Sequence, residues 1–486
     1  MGDGLPCCRR QNPMATNEEG NMPMQIADLV GLNETAVEDM PIVASEADMA
    51  AIWNESQSRL SIAGMRCSQG GHTAVTGGRM LLMETFSRPI EVDPGDFNAA
   101  DPHAPVNHPP TVTVSAGATW SEVHHALSQH GLAPLVHQSS PHFTVGGALS
   151  VNCHGRDPRQ GPLSSTVEWI ELWSEQGARR AWPGEPLFQA AVGGYGSCGL
   201  ILRAKLRVCP NLVLQQVGYT RNAGWYAGHL QRLVAPGPAE ANIHLHYGWL
   251  RCTSLNDLFD EVLVVDYKDE GAATCPVDRD LKCEEWGDTE LLRAAWAAAR
   301  QGYAPLRDEI WKTVAEQQQS GRDSRLNWMR AAISFTSHRG KDATDILQEY
   351  FVPVGRFDDM RQELKRIFRQ YNVNVLSATV RLVRKDSVPV NLSYCPNDAM
   401  ACIAVDVSIG IEGEPRRPQV GVTTWVQECV QAALGLGGTY YLPYFGFVSG
   451  AVFREAYPKW GLQAAAIQQF NPGGRWSNGF LQQYFP

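Results

Sequence analysis

Two segments of this chain carry residues that could do chemistry: Arg66-Cys67-Ser68-Gln69-Gly70-Gly71-His72-Thr73 and Thr144-Val145-Gly146-Gly147-Ala148-Leu149-Ser150-Val151-Asn152-Cys153-His154-Gly155. Each sets a glycine pair beside an apolar run, and each carries a histidine. Glycine lets backbone N–H groups crowd around an anion, usually a diphosphate. Glycine marks turns far more often than ligands, so one such loop means little. Two loops of this kind, each with an imidazole, narrow the reading to an anionic cofactor. Gly70, Gly71, Gly146 and Gly147 are the expected donors. No Gly-x-Gly-x-x-Gly follows the first strand, so the loops do not fit a Rossmann fingerprint.

Strands and helices must bring these loops together. Pro41 to Glu55 reads as a strand and then a helix opened by Ser45, with Met49 and Ile52 on one face. Arg59 to Gly64 is a short strand feeding the first loop. A strand over Thr111 to Gly117, a helix from Ser121 to Gln129 and a strand from Thr166 to Trp173 follow. Gly193 to Ile201 leads into Ala204 to Val208. This alternation fits an α+β or α/β nucleotide-binding domain. Beyond Leu214 come strands at Ile243 to Trp249 and Val262 to Tyr267, then a Trp-rich helical stretch from Thr289 to Glu316. Asp345 to Pro353 is an apolar strand, Arg356 to Tyr371 a helix and Ser377 to Val383 a strand, which together imply an antiparallel sheet with helices on one face. The residues after Gly437 return to glycine-rich turns. The expected organisation is a disordered tail over 1–24, a cofactor domain over 25–214, a substrate or cap domain over 215–435, and a segment over 436–486 that returns to the first domain.

Composition bounds the partners. The net charge of −10 and the absence of a basic run interleaved with aromatics argue against nucleic acid and anionic membrane surfaces. No apolar run approaches the ~18 residues of a membrane span, and the N-terminus lacks an apolar signal core. A cytoplasmic protein is expected. The 12 cysteines include no Cys-x-x-Cys and lack histidines at ligand spacing, so neither disulfides nor a metal is expected. His124-His125 reads as a partly solvated helical pair. His244-Leu245-His246 alternates as a strand does and offers no third metal ligand.

The order of the two loops, the Gly196-to-Ile201 strand, the central sheet and the terminal Tyr457-Pro458 and Asn471-Pro472-Gly473 segments resembles the vanillyl-alcohol oxidase (PCMH-type) flavoproteins. Within them it is similar to the alditol and aldonolactone oxidases and decaprenylphosphoryl-ribose oxidase. The resemblance implies an α+β, two-domain FAD-binding fold with an antiparallel-sheet cap. It implies FAD held covalently through His72, with Arg66, Ser68, Gln69, Gly70, Gly71 and Thr73 around it. From the second loop it adds Ser140, Val145, Gly146, Gly147, Ser150, Asn152, Cys153, His154 and Gly155; Gly199, Ile201 and Asn478 complete the cofactor set. A second flavin bond, which some members make through cysteine, falls here at His142 and is not expected.

Two departures stand out. Alditol oxidases carry Glu-x-Arg in the central sheet, whereas this chain has Thr379-Val380-Arg381; the arginine is kept and the carboxylate is missing. A lysine of many relatives falls at Pro443 or Tyr444. The catalytic candidates are therefore Arg381, His154 and Tyr444, the last as a base with lowered pKa or as a hydrogen-bond donor. The implied reaction is oxidation of a CH–OH group of a sugar-, polyol- or nucleoside-like molecule, with hydride passing to flavin N5 and O2 as acceptor. A second reading is C–N or C–C oxidation, or oxidative cyclisation, in secondary metabolism, suggested by the aromatic segment 439–447. A third is a binding protein that retains the fold.

Overall fold

Residues 24–486 are described by a computed structural model, apart from 273, 278–280, 282–296, 298, 303, 331–338 and 414–415. The expected tail and the start of the Trp-rich helix lie outside them. The helix itself is seen as Ala304–Gln317, and Met24 already belongs to a strand, Met24–Ala27.

Local rules set the first part of the chain. Ser45 accepts a hydrogen bond from the Asp48 N–H and opens the helix Glu46–Glu55, which buries Met49 and Ile52. Leu60–Ala63 pairs in parallel with Arg79–Leu82. Thr119 and Glu122 form a reciprocal cap at the start of Trp120–Ser128. A six-stranded antiparallel sheet follows, running from Glu91–Asp93 through Thr111–Ser115, Leu200–Pro210 and Val167–Ser174 to Gly177–Ala181, with Leu132–Pro134 beside Leu200–Pro210.

The second sheet has nine strands and is antiparallel at every pairing. Asn374–Arg384, Ala399–Glu412 and Ala343–Pro353 lie side by side in it, in that order. Residues directly opposite one another share a face. Leu347, Glu349 and Phe351 therefore face the same way as Asp406, Ala404 and Cys402, and as Ser377, Thr379 and Arg381. The other face carries Tyr350, Val380, Ile403 and Val405, packed with Leu364, Ile367 and Trp425 of the helices Phe357–Gln370 and Val422–Gly435. Burying Met360, Leu364, Ile367 and Phe368 at helical spacing fixes how the first of those helices sits.

Two expectations change. The strand Ala399–Glu412, paired on both sides within the sheet, went unread because its apolar run is almost continuous and shows no clean alternation until Asp406. The terminal residues are not only turns: Gly450–Ala456, Trp460–Phe470 and Gly479–Tyr484 are helices. Ser449 and Asn478 cap two of them, and the third is rich in alanine, glutamine and leucine, which favour helix.

A buried ion pair bridges the two large sheets. Arg325 donates to Asp157 at 3.1 Å and to the Leu135 carbonyl at 2.9 Å, with both side chains 1% exposed. The chain end returns to Leu60, which donates to the Arg475 carbonyl at 2.6 Å and accepts from the Ser477 N–H at 2.9 Å.

Candidate active site

The first glycine loop leaves the strand Leu60–Ala63 and turns sharply, with Arg66 at φ 55° and Gly71 at φ 71°. Gln69 anchors it twice: its N–H donates to the Pro443 carbonyl at 2.9 Å, and its side-chain oxygen accepts from the Leu347 N–H at 3.1 Å. Gly70 must be glycine, since a Cβ there would lie 2.3 Å from His72 Cε1 and 2.6 Å from the Tyr444 carbonyl oxygen. Arg66 and Thr73 line a small hollow with Asp28 and Asn33. His72 is buried between the rings of Tyr195 and Phe480, 5.0 and 5.1 Å away. Burial pushes its pKa down to about 3, with the Leu442 backbone opposing weakly, so the imidazole is neutral. Its two ring nitrogens and Ser68 Oγ are enclosed and lack well-formed hydrogen bonds.

The second loop corrects part of the sequence reading. Val145–Ser150 is a short helix capped by Thr144. The Gly146 N–H is committed to the Ala116 carbonyl at 2.8 Å and the Gly147 N–H to Thr144 Oγ1 at 3.2 Å, so neither is free for a diphosphate. Gly146 serves close packing instead, because a Cβ would come within 2.6 Å of Ala116 Cβ. Val145 is buried in the same core, and Ser150 Oγ donates to the Gly146 carbonyl at 2.8 Å. Asn152, at φ 48°, accepts from the Ser164 N–H at 2.8 Å and takes the Tyr394 hydroxyl on its carbonyl at 2.7 Å. Burial drives the Cys153 thiol up to about 12, which makes it inert. Ser140 Oγ accepts from the His142 N–H at 3.3 Å, and Gly155 passes close to the His137 carbonyl.

Tyr195 joins the two loops. Its ring lies against His72, its N–H donates to the Ser150 carbonyl at 3.0 Å, and its carbonyl accepts Asn478 Nδ2 at 2.8 Å. Gly199, at φ 139°, passes within Cβ-excluding distance of the Trp173 carbonyl, and Ile201 pairs with Leu172. Those two residues sit in the six-stranded sheet and shape its strand end.

His154 reaches from the second loop to the nine-stranded sheet. Its Nε2 lies 2.9 Å from Glu349 Oε2, and Glu349 Oε1 accepts the Tyr444 hydroxyl at 2.8 Å. Cys402 Sγ lies 3.6 Å from the same carboxylate, and Arg381, which donates to Ser139 Oγ at 2.7 Å, sits across the sheet from Cys402. Burial alone would raise the Glu349 pKa, but His154, Arg381 and Tyr444 together hold the carboxyl below its ordinary value. Glu349 is the residue the sequence reading missed. It stands two strands from Thr379, on the same face, with Ala404 between them. Its one signal was an acid on the inward face of an apolar strand. Tyr444 moves the other way from expectation: burial and Glu349 raise its pKa well above 10, so it is a hydrogen-bond donor and not a base. Around this cluster, Tyr247, Trp249, Leu347, Thr379, Arg381 and Asp406 are only half-buried and lie on the same face of the nine-stranded sheet as Glu349.

Several buried histidines outside the site are held by hydrogen bonds. His124 is buried, not partly solvated, and its Nε2 meets His137 Nε2 at 3.0 Å, while His125 is exposed. His246 has two potential co-ligands that the sequence did not suggest, His229 and Asp266. Their contacts read as a closed hydrogen-bond circuit: Asp266 takes both imidazoles, at 2.7 and 3.3 Å, and His246 Nε2 meets the Tyr226 hydroxyl at 2.7 Å. No helix among the described residues is long and apolar enough to cross a membrane.

Residues 42–180 match the family described as FAD binding domain. Over 148 residues, or 29% of this chain and 26% of the relative, the sequence is 33% identical to cytokinin dehydrogenase 4 of Oryza sativa subsp. japonica. It is 32% identical to alditol oxidase of a Streptomyces species over 23% of this chain and 27% of that protein. It is 28% identical to decaprenylphosphoryl-beta-D-ribose oxidase of Mycolicibacterium smegmatis over 39% of each. The chain thus matches between about a quarter and two-fifths of these relatives' lengths. Among solved structures, cholesterol oxidase from Brevibacterium sterolicum aligns with a TM-score of 0.69 over 99% of this chain and 100% of that one, at 15% identity. The fold is therefore shared across both sheets.

Proposed function

We propose, from an FAD-binding domain joined to a sheet face with a buried His–Glu pair, that this protein is an FAD-dependent oxidoreductase. It oxidises a CH–OH group of a sugar-, polyol- or nucleoside-like molecule and passes the electrons to O2. The observation that carries the reading is the 2.9 Å contact of His154 with Glu349, backed by Tyr444 at 2.8 Å.

The residues present fit a flavin. Ser68 Oγ and the His72 nitrogens are buried polar atoms with no well-formed hydrogen bonds, as a site for a polar cofactor requires. Ser68, Gly70 and Gly71 would hold the phosphates. His72, kept neutral, would be the point of covalent attachment. Bound FAD would supply the hydride acceptor. The chain's own part is the proton. Glu349 is held as a carboxylate and can only accept, so the hydrogen between the two sits on His154 Nε2, and a neutral His154 would present a lone pair at Nδ1. That Nδ1 is buried and has no partner. It takes the proton of the substrate hydroxyl, with Glu349 fixing the tautomer and Tyr444 fixing Glu349. Arg381 places positive charge where the oxygen becomes negative.

The visible spectrum before and after acid precipitation, followed by anaerobic titration with polyols, sugars and nucleosides, tests this. Yellow protein whose colour stays in the pellet, is lost from it in His72→Ala, and bleaches with such an alcohol is expected. Hydrogen peroxide should form in air. Flavin that bleaches only with amines or phenols would move the protein to C–N or C–C oxidation. A colourless protein that added FAD does not restore would end the proposal.

A further inference from the structure

Asp406 lies on the same sheet face and is used by nothing in the mechanism above. It stands opposite Leu347 and Ser377 on the two flanking strands, so Asp345 and Glu349 are its diagonal neighbours on one side. Such diagonals span about 7–8 Å. Asp345 is tied to Arg300 at 2.9 Å, and Glu349 to His154 and Tyr444. Among the described residues, no hydrogen bond reaches the Asp406 carboxyl, although its surroundings are low in water and rich in charge. A half-buried carboxyl without such a bond, on the same sheet face as Glu349, is open to a ligand hydroxyl.

We propose that Asp406 is a specificity-determining residue that binds a second hydroxyl group of the substrate, remote from the carbon being oxidised. The proposal rests on the reading of this face as an alcohol-oxidising site. Its support is positional: Asp406 lies one ladder diagonal from Glu349, about the span of a sugar ring or short polyol chain, with Ser377 and Thr379 beside it. A carboxylic acid offers one donor and one acceptor, the complement of a hydroxyl. A flat apolar ligand would leave it unpaired.

The protonation state agrees with this geometry. Burial, then Asp345 and Glu349, raise the Asp406 pKa to about 8, against a smaller opposing effect of Arg300. Tyr444 and the Cys252 thiol also feel its charge. Asp406 is therefore a neutral donor at pH 7 and becomes an anion that repels the Asp345 and Glu349 side above about 8.

The test uses wild-type, Asp406→Leu and Asp406→Asn holoenzymes with alditols of increasing length and with monofunctional alcohols of matching length. The readouts are anaerobic flavin bleaching and, independently of turnover, the Tm shift caused by each alditol. In Asp406→Leu the preference for alditol over alcohol should fall about tenfold in kcat/KM, mainly through KM. The alditol-induced Tm shift should vanish. Wild-type KM for alditol should climb above pH 8, whereas Asp406→Asn, which cannot ionise, should show no such rise. An unchanged preference and Tm shift in Asp406→Leu would overturn the proposal, as would a wild type stabilised by no alditol. A wild type that alditols stabilise but whose flavin they never bleach would leave Asp406 as a hydroxyl-binding residue and refute the proposed oxidation instead.

Discussion

In the proposed reaction Glu349 is the residue on which His154 and Tyr444 both depend. Glu349→Gln keeps the shape but cannot hold His154 in one tautomer by charge. Flavin bleaching by a good alcohol should slow by about 10²–10⁴, with flavin content unchanged, as anaerobic stopped-flow would show. Tyr444→Phe acts through the same carboxylate. Tyr444 donates to Glu349 and lowers its pKa. Removing that donor raises the pKa, so the acid limb of the pH–rate profile should move to higher pH. A profile that stays in place would remove Tyr444 from the site. At this scale the sequence was partly legible. His72, His154 and Arg381 stand in local motifs, where neighbouring residue types point to a role. Glu349 and Asp406 belong to the site only because three strands align in one register, and spacing along a single chain does not carry that information. Tyr444 was visible as an aromatic in the right place, but the direction of its pKa shift depends on Glu349 and could not be read without it.

Elements set how tightly the loops can approach. Gly146 sits in the helix Val145–Ser150 against the strand Thr111–Ser115 and the Ala116 turn that follows it. Gly146→Ala should therefore lower stability by about 1–3 kcal/mol, seen as a fall in Tm, because backbone on both sides must shift. Gly461, near the start of the helix Trp460–Phe470, meets nothing within 4 Å, so Gly461→Ala should leave Tm level or raise it by about 0.5 kcal/mol of stability. Equal losses at the two sites would show that close packing is not what Gly146 provides. Most of the elements on which the loops hang were readable, since Ser45 announces its helix and Val167–Ser174 alternates cleanly. The strand Ala399–Glu412 and the terminal helices were not. The first is buried on both faces for much of its length, and the others are short and lie among glycines and prolines that read as turns.

Across the whole molecule, one buried ion pair bridges the two large sheets. Burial alone would raise the Asp157 pKa, but Arg159 and Arg325 outweigh it and hold the carboxyl below its ordinary 3.8. The stability it gives is thus fully present above about pH 4 and is lost as the pH falls below that value. Asp157→Asn should cost about 3–5 kcal/mol at neutral pH by leaving Arg325 buried without its partner, and the acid-induced fall in Tm below pH 4 should become shallower. An unchanged Tm at pH 7 would show that the sheets are held by apolar packing alone. No local pattern announces this pair, because 168 residues separate its members. A similar separation governs how the molecule is made. The Gly479 N–H donates to the Gly71 carbonyl at 3.0 Å and Asn478 holds Tyr195, so the loop around His72 is closed by residues synthesised some four hundred positions later. A ribosome-bound chain that has released His72 still lacks Phe480, one wall of its pocket. Until translation passes that point the pocket lacks that wall, and any cofactor seated there would have to await a contact of long sequence separation.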